Sequence, residues 1–233
     1  MTVFEPSDEQ VREFCSRDPV ERVFLQDVAQ RGLGRFAAVE RDDGLLDALC
    51  HSGANLVPSG DGCGAFAVVA ATTRARMIIG EARAVTDLWQ AARRRLPRAR
   101  EDRPHQPVYT ITEPPATGET GLRAARPDDV ELLLPACAAA HRLELGVDPL
   151  TRDPEGFRWR TEAQITEGRS WVWVDPSLRG RGYGARGMRD VCRLLLETTP
   201  TVTLFVRSEN TPAIATYESI GMRKTLEYRS VLF

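Results

Sequence analysis

The segment Val172-Trp173-Val174-Asp175-Pro176-Ser177-Leu178-Arg179-Gly180-Arg181-Gly182-Tyr183-Gly184 gathers residue types suited to anion binding. An apolar run stops at Asp175-Pro176 and passes into a turn rich in glycine and arginine, after which helical periodicity begins. Glycines at 180, 182 and 184 let backbone amides point into one concavity with no Cβ in the way. A helix opening at the same place adds unpaired N–H groups and the positive end of its dipole. Arg179 and Arg181 bring further positive charge. This is the chemistry of a diphosphate cradle. A nucleotide-hydrolase P-loop is excluded, since Gly184 is followed by Ala185 and not by Lys with Ser or Thr. A dinucleotide fingerprint fits loosely at Gly180, Gly182 and Ala185, but no acidic ribose partner follows a clean βαβ unit. The structural alternative is a glycine-rich helix cap that holds no ligand.

Composition narrows the ligand. The chain has 233 residues, 42% hydrophobic and 27% charged, as in an ordinary globular protein and unlike a disordered one. No apolar run approaches the ~18 residues of a membrane span. The first residues mix Glu5, Asp8, Glu9 and Arg12 with apolar ones and show no basic-then-apolar signal pattern, so a cytoplasmic, soluble protein is expected. A net charge of −2 argues against a general binder of nucleic acid or anionic membrane. From Ser170 to Phe233, however, nine Arg or Lys face six Asp or Glu, a local +3 that suits a small anionic ligand. Cys15, Cys50, Cys63, Cys137 and Cys192 contain no CxxC, and His51, His105 and His141 form no ligand set with them. Neither a disulfide framework nor a metal site is expected. Cys50 and His51 are adjacent, and neighbours on a strand face opposite ways, so they are not read as a catalytic pair.

The elements that would position the turn mix helix and strand, the pattern of an α/β (α+β) fold. Pro-containing stretches at 102–107 and 113–118 flank Val108–Thr112 and place a boundary near residue 115. Before it the pattern predicts a helix over Asp18–Gly32 and strands over Arg35–Glu40 and Leu45–His51 joined at Asp42-Asp43-Gly44. A helix over Ala65–Arg74, a strand over Met77–Gly80 and a helix over Val85–Arg95 follow, and Val108–Thr112 closes the half as a strand. Beyond it come a strand at Gly121–Ala125, helices at Asp128–Arg142 and Pro154–Gly168, and a strand at Trp171–Val174. A helix at Gly184–Thr198, a strand at Thr201–Val206, a helix at Thr211–Ile220 and a final strand at Met222–Phe233 complete the chain. Asn210 or Thr211 caps the last helix, with Pro212 in its first turn and Gly221 just past its end.

The spacing Arg179-x-x-Gly182-x-Gly184 resembles the acyl-CoA loop of the GNAT (Gcn5-related N-acetyltransferase) superfamily. The stretch Asn210-Thr211-Pro212-Ala213-Ile214-Ala215-Thr216-Tyr217-Glu218-Ser219-Ile220-Gly221-Met222 is similar to that family's N-x-x-A-x-x-x-Y-x-x-x-G-F ending, with Met222 in place of Phe. Asp18-Pro19-Val20, Gly53 to Pro58, Arg103 to Pro107 and the terminal Ser230-Val231-Leu232-Phe233 further resemble proteins in which a GNAT domain follows a DUF4081-type region. The resemblance implies tandem GNAT-like domains: residues 1–115, degenerate and without a CoA loop of their own, and residues 116–233, the acetyltransferase domain. It implies that Val172, Trp173 and Val174 pair with the pantetheine arm of acetyl-CoA as an added strand would. Arg179, Gly180, Arg181, Gly182, Tyr183 and Gly184 would hold the diphosphate, Tyr183 having packing as its alternative role. Asn210 would contact the cofactor arm, and Tyr217 would protonate the departing thiolate. A helix cap and a core aromatic are the structural alternatives for these two.

The family order is strand, two helices, three antiparallel strands, then the loop. Between Gly168 and Asp175 only Arg169–Val174 is left, which is room for one strand. The C-terminal domain is therefore expected to be short of two central strands, which normally shape the acceptor pocket. Asp175 and Glu209 are the nearest carboxylates, and neither is assigned as general base. The expected function is transfer of acetyl from acetyl-CoA to a small-molecule or peptide amine, by direct attack in a ternary complex, in a monomer or homodimer. A non-catalytic acyl-CoA-binding or regulatory protein is the alternative, and nucleic-acid binding has only the local +3 in its favour.

Overall fold

The computed structural model describes residues 2–173 and 183–233, which form two compact units: residues 1–113 with 199–233, and residues 114–198. The last thirty-five residues, 199–233, pack with the first unit.

In the first unit the elements run β1 (Val3–Phe4), α1 (Asp8–Ser16), α2 (Val23–Gln30), β2 (Arg35–Glu40), β3 (Leu46–Ser52) and β4 (Leu56–Gly60). A 3₁₀ turn at Cys63–Phe66 leads into α3 (Ala67–Ala71), followed by β5 (Met77–Glu81), α4 (Ala82–Ala92) and β6 (Glu101–Ile111). Three elements from the far end of the chain complete it: β9 (Val202–Phe205), α9 (Thr211–Ser219) and β10 (Arg223–Leu232). The eight-stranded mixed sheet has the order β1-β2-β3-β4-β5-β10-β6-β9, so the last strand in sequence lies between β5 and β6. β4 and β5 are parallel and meet at one position, Leu56 with Ile78. All other neighbours are antiparallel.

Alternation along the strands feeds two apolar clusters. Val39, Ala48 and Cys50 pack with Phe66, Val85 and Leu88 in one, while Ala38 and Leu49 pack with Val11, Phe14 and Leu25 in the other. The Asp42-Asp43-Gly44 hairpin forms as expected: Gly44 has φ +84°, and the Leu45 N–H donates to Asp43 Oδ1 at 3.1 Å. Cys50 and His51 are both buried on consecutive strand positions. The Cys50 thiol is pushed up to about 12 by burial, and His51 Nε2 bonds the Leu33 carbonyl at 2.9 Å.

Three sequence expectations change. The helix expected over Asp18–Gly32 is confined to α2, because Asp18 Oδ1 accepts the Glu21 N–H at 3.0 Å and holds a turn ahead of it. The stretch 102–107, expected as a break, is continuous strand in β6. Pro104 falls at an irregularity in the pairing with β10, between the positions of Tyr228 and Ser230, where its missing N–H costs no ladder bond. Pro107 uses its carbonyl, which accepts from the Val206 N–H at 3.1 Å. Helix α1 had no counterpart in the periodicity; Ser7 and Gln10 form a reciprocal capping box at its start.

The second unit contains β7 (Arg123–Ala124), α5 (Val130–Leu145), α6 (Pro149–Arg152), α7 (Pro154–Thr166), β8 (Trp171–Val172) and α8 (Tyr183–Leu196). Among its described residues the sheet is two-stranded, β7 against β8, and β8 is the one strand between α7 and residue 173. Ala125, Val130 and Ile165 form a buried cluster with Leu133 and Val172 against it. Among the described residues no helix is long and apolar enough to cross a membrane.

Candidate functional site

Of the residues expected to hold the cofactor, Val174, Arg179, Gly180, Arg181 and Gly182 lie outside the described residues. The others fall in two groups. Val172, Trp173, Tyr183 and Gly184 belong to the second unit, and Asn210 and Tyr217 to the first.

In the second unit, Val172 and Trp171 pair with Arg123 and Ala124. The rings of Trp173 and Tyr183 meet edge to face at 5.6 Å. At Gly187, one turn into α8, a Cβ would lie 2.6 Å from the Trp173 ring. Among the described residues nothing lies within 4 Å of where a Gly184 side chain would be, and the first turn of α8 carries no acidic residue. A helix whose first turn lacks an acid favours an anion at its start.

Two residues that the sequence did not single out fix this helix start. Arg186 donates from Nε to the Gly118 carbonyl and from Nη2 to the Glu119 carbonyl, both at 2.7 Å. Asp190 accepts from the Gly118 N–H at 2.7 Å, the Thr120 N–H at 3.0 Å and the Thr120 hydroxyl. The Thr120 hydroxyl and these amides hold the Asp190 carboxyl below the usual range. Their signal in sequence was faint: a charged pair at i and i+4 on an amphipathic helix is ordinarily a solvated face.

In the first unit, Asn210 stands at the N-cap of α9, where its Oδ1 accepts the Ala213 N–H at 3.3 Å. Tyr217 lies two turns on, half-buried, with its ring 6.1 Å from that of Tyr109 on β6. The Tyr109 hydroxyl donates to Glu218 Oε1 at 2.9 Å. Tyr228, by contrast, is buried: its hydroxyl donates to the Glu21 carbonyl at 2.6 Å, and it packs on Phe24 and Phe205.

The first unit has its own strand–turn–helix junction, from β4 through Gly60-Asp61-Gly62-Cys63-Gly64 to α3, and it is closed. Asp87 Oδ2 accepts the Gly64 N–H at 2.8 Å, so a carboxylate of the chain takes the amide that an anionic ligand would need. An opening of about 410 Å³ in this unit is lined by charged groups, among them Arg17, Glu21, Arg22 and Asp61. Those charges pair largely among themselves. Arg22 donates to Glu21 at 3.0 Å, Ser59 bonds Glu21 at 3.1 Å, and Arg17 donates to the Leu46 carbonyl at 2.8 Å. Among the described residues no group of three or more His, Cys, Asp or Glu is placed to hold a metal.

Residues 34–133 match the family described as a domain of unknown function, DUF4081, and residues 156–231 match the family described as FR47-like protein. A GNAT-family acetyltransferase from Colwellia psychrerythraea superposes with a TM-score of 0.56 at 8% identity, covering 100% of both chains. A GCN5-related N-acetyltransferase from Sphaerobacter thermophilus gives 0.55 at 15% identity, covering 99% of this chain and 94% of that one. A tandem GNAT protein from the clavulanic acid biosynthesis pathway gives 0.51 at 12% identity, covering 98% and 97%. At these identities the likeness is one of fold, and the fold of this chain is that of the GNAT proteins. No curated protein matches the chain.

Proposed function

We propose that this GNAT-fold protein is an N-acetyltransferase that moves acetyl from acetyl-CoA to the amine of a small molecule or peptide. The observation that carries the reading is the succession β8, glycine- and arginine-rich segment, α8, β9 and α9, with Asn210 capping α9 and Tyr217 two turns beyond it. The order supports it because the acid-free start of α8 suits the anionic end of acetyl-CoA, whereas the corresponding junction at Gly64 is already occupied by Asp87.

In this reading Val172, Trp173 and Val174 offer backbone to the pantetheine arm, and Arg179 through Gly184 hold the diphosphate. Asn210 contacts the arm. Acetyl-CoA supplies the activated thioester, and the acceptor amine attacks it directly in a ternary complex. Tyr217 delivers its phenolic proton to the departing thiolate. The remaining acceleration comes from holding the two reactants together. No general base is assigned. The protein acts in the cytoplasm, as a monomer or homodimer.

Titration calorimetry with acetyl-CoA tests the reading. Wild-type protein should bind one equivalent, Gly182→Asp should lose binding, and Asp87→Ala should keep it. A cooperatively folded protein that binds no acetyl-CoA would overturn the reading. Tyr217→Phe should then retain binding and lose turnover, which separates an enzyme from a non-catalytic acyl-CoA-binding protein.

A further inference from the structure

Helix α9 is nine residues long and none of them is fully buried. Apolar packing alone therefore holds its roll about the axis weakly. The Asn210 cap does not correct this, because the cap bond to Ala213 lies within the helix itself. At the other end the helix is tied to the sheet. Tyr109 donates its hydroxyl to Glu218 Oε1 at 2.9 Å, and its ring meets that of Tyr217, the neighbouring residue on the helix.

Tyr109 is suited to act as the fixed member of this tie. It is 4% exposed, on a strand hydrogen-bonded on both sides, opposite Lys224 of β10 and Leu204 of β9. Burial and the Glu218 carboxylate hold its phenol above the ordinary value, so it stays a donor throughout the neutral range. A buried hydroxyl anchored in a sheet makes a more exact reference point than a contact between two exposed side chains.

We infer that Tyr109, which lies in the DUF4081-matched half, is a positioning residue for Tyr217: its hydroxyl fixes α9 through Glu218, and its ring sets the face of the Tyr217 ring. The inference rests on the acetyltransferase reading of Tyr217. It assigns the N-terminal half a part in the reaction although its own junction is closed. No covalent step passes through Tyr109. A misplacement of about 1 Å at a reacting group can cost on the order of a hundred-fold in rate, so loss of one tether should be readily measured.

The chain holds four tyrosines, so ¹³Cζ-tyrosine labelling of the full-length protein gives four resonances, assigned by single Tyr→Phe changes. Tyr109→Phe keeps the ring and removes the hydroxyl; Glu218→Ala removes the acceptor; Glu218→Gln keeps a neutral one. Tyr109→Phe and Glu218→Ala should each move the Tyr217 resonance and leave Tyr183 in place, and Glu218→Gln should recover most of the shift. A Tyr217 resonance unmoved in both variants overturns the inference, whether or not acetyl-CoA is turned over. The activity arm follows free thiol released from acetyl-CoA with a mixture of primary amines. Each variant should lower kcat about ten-fold with KM for acetyl-CoA unchanged, and the double variant should be no worse than either single one. Rates within about two-fold of wild type, or losses that add in the double variant, overturn it. Absence of acetyl-CoA binding by wild type would instead defeat the acetyltransferase reading, leaving the resonance shifts to decide the role of Tyr109.

Discussion

The junction after β4 and the start of α8 each lead into a helix, and they differ in charge. At the first, the turn after β4 contains Asp61, and Asp87 has captured the Gly64 amide. At the second, α8 opens without an acid, and its start is held from behind by Arg186 and Asp190 gripping residues 118–120. Packing differs in the same sense. The first unit buries Phe14, Phe66, Leu49, Leu56 and Leu88 on the faces of an eight-stranded sheet, while the second has a cluster around Ala125, Val130 and Ile165. Leu132, Leu143 and Trp159 of the second unit are exposed. The larger apolar core among the described residues thus lies in the first unit, which also carries Asn210 and Tyr217. A junction that fills its own amide gains a hydrogen bond and gives up a ligand.

The largest effect that could break this comparison is on folding itself. β10 lies between β5 and β6, with Val231 and Leu232 almost wholly buried, so residues 1–115 alone lack a central strand. That fragment should show no cooperative urea transition, and adding a peptide of residues 199–233 should restore one. A fragment that folds unaided would mean that the C-terminal strand is an accessory to the first unit.

Next in size are paired truncations. Phe66 is fully buried against both β-strand and helix residues, and Phe66→Ala should cost about 3–5 kcal/mol. Ile165→Ala in the second unit should cost about 2 kcal/mol, at the low end of the range, because a small cluster collapses more easily around a deletion. Amide exchange read separately for each unit is the measurement, since one global free energy does not describe two units. Equal losses spread across both units would sink the proposed difference.

Much of this contrast was legible beforehand. Arg35–Glu40 appeared as a strand with its final bounds, and the Asp-Asp-Gly turn fixed the next hairpin, because period-two alternation and turn chemistry are local signals. The motif Asn210 to Tyr217 was readable for the same reason: a cap and a face two turns away are set by one helix. What local signals could not give was partnership. Pro104 and Pro107 read as a break, yet β10, more than a hundred residues later, supplies the partner that makes 101–111 a strand. Nothing near Gly64 says that Asp87 will fold back onto its amide. Tyr109 and Glu218 are equally remote in sequence, and their hydrogen bond exists only in the assembled sheet. Helix α1 has a local signal of its own, since Ser7-x-x-Gln10 is a capping-box signature.

Acid should separate the units further, by a smaller margin. Asp190 is held below its usual range mainly by the Thr120 hydroxyl, and Asp129 mainly by the Arg123 guanidinium. Groups with depressed folded-state values contribute stability that is present above their unfolded value of about 3.9 and is lost as pH falls toward the folded one. Glu101, Glu209 and Glu227 of the first unit are held low in the same way, but Glu21 there is shifted upward, chiefly by burial, so lowering pH through its folded value relieves a penalty at that one group. As pH falls below about 3.9 the second unit, with no such offset among its described carboxyls, should lose exchange protection somewhat more steeply than the first. Equal loss in both would contradict the opposing role of Glu21.

The smallest effect concerns Asn210, where stability and function can be told apart. Its Oδ1 caps α9 through the Ala213 amide, and replacement by Ala should cost about 0.5–2 kcal/mol wherever the helix is counted. That loss alone says nothing about a ligand. Asn210→Asp keeps an acceptor of equal capping strength and adds a negative charge at the helix start, which the dipole favours. The folded protein should therefore be as stable as wild type or slightly more so. If Asn210 only caps, acetyl-CoA affinity stays with stability and survives in the Asp variant. If Asn210 donates from its amide nitrogen to the cofactor arm, as proposed, the Asp variant is stable yet binds acetyl-CoA at least about ten-fold more weakly, since a donor has become a charged acceptor. Calorimetric affinity and urea midpoint on the same two variants decide the point, because the two roles move them in different combinations.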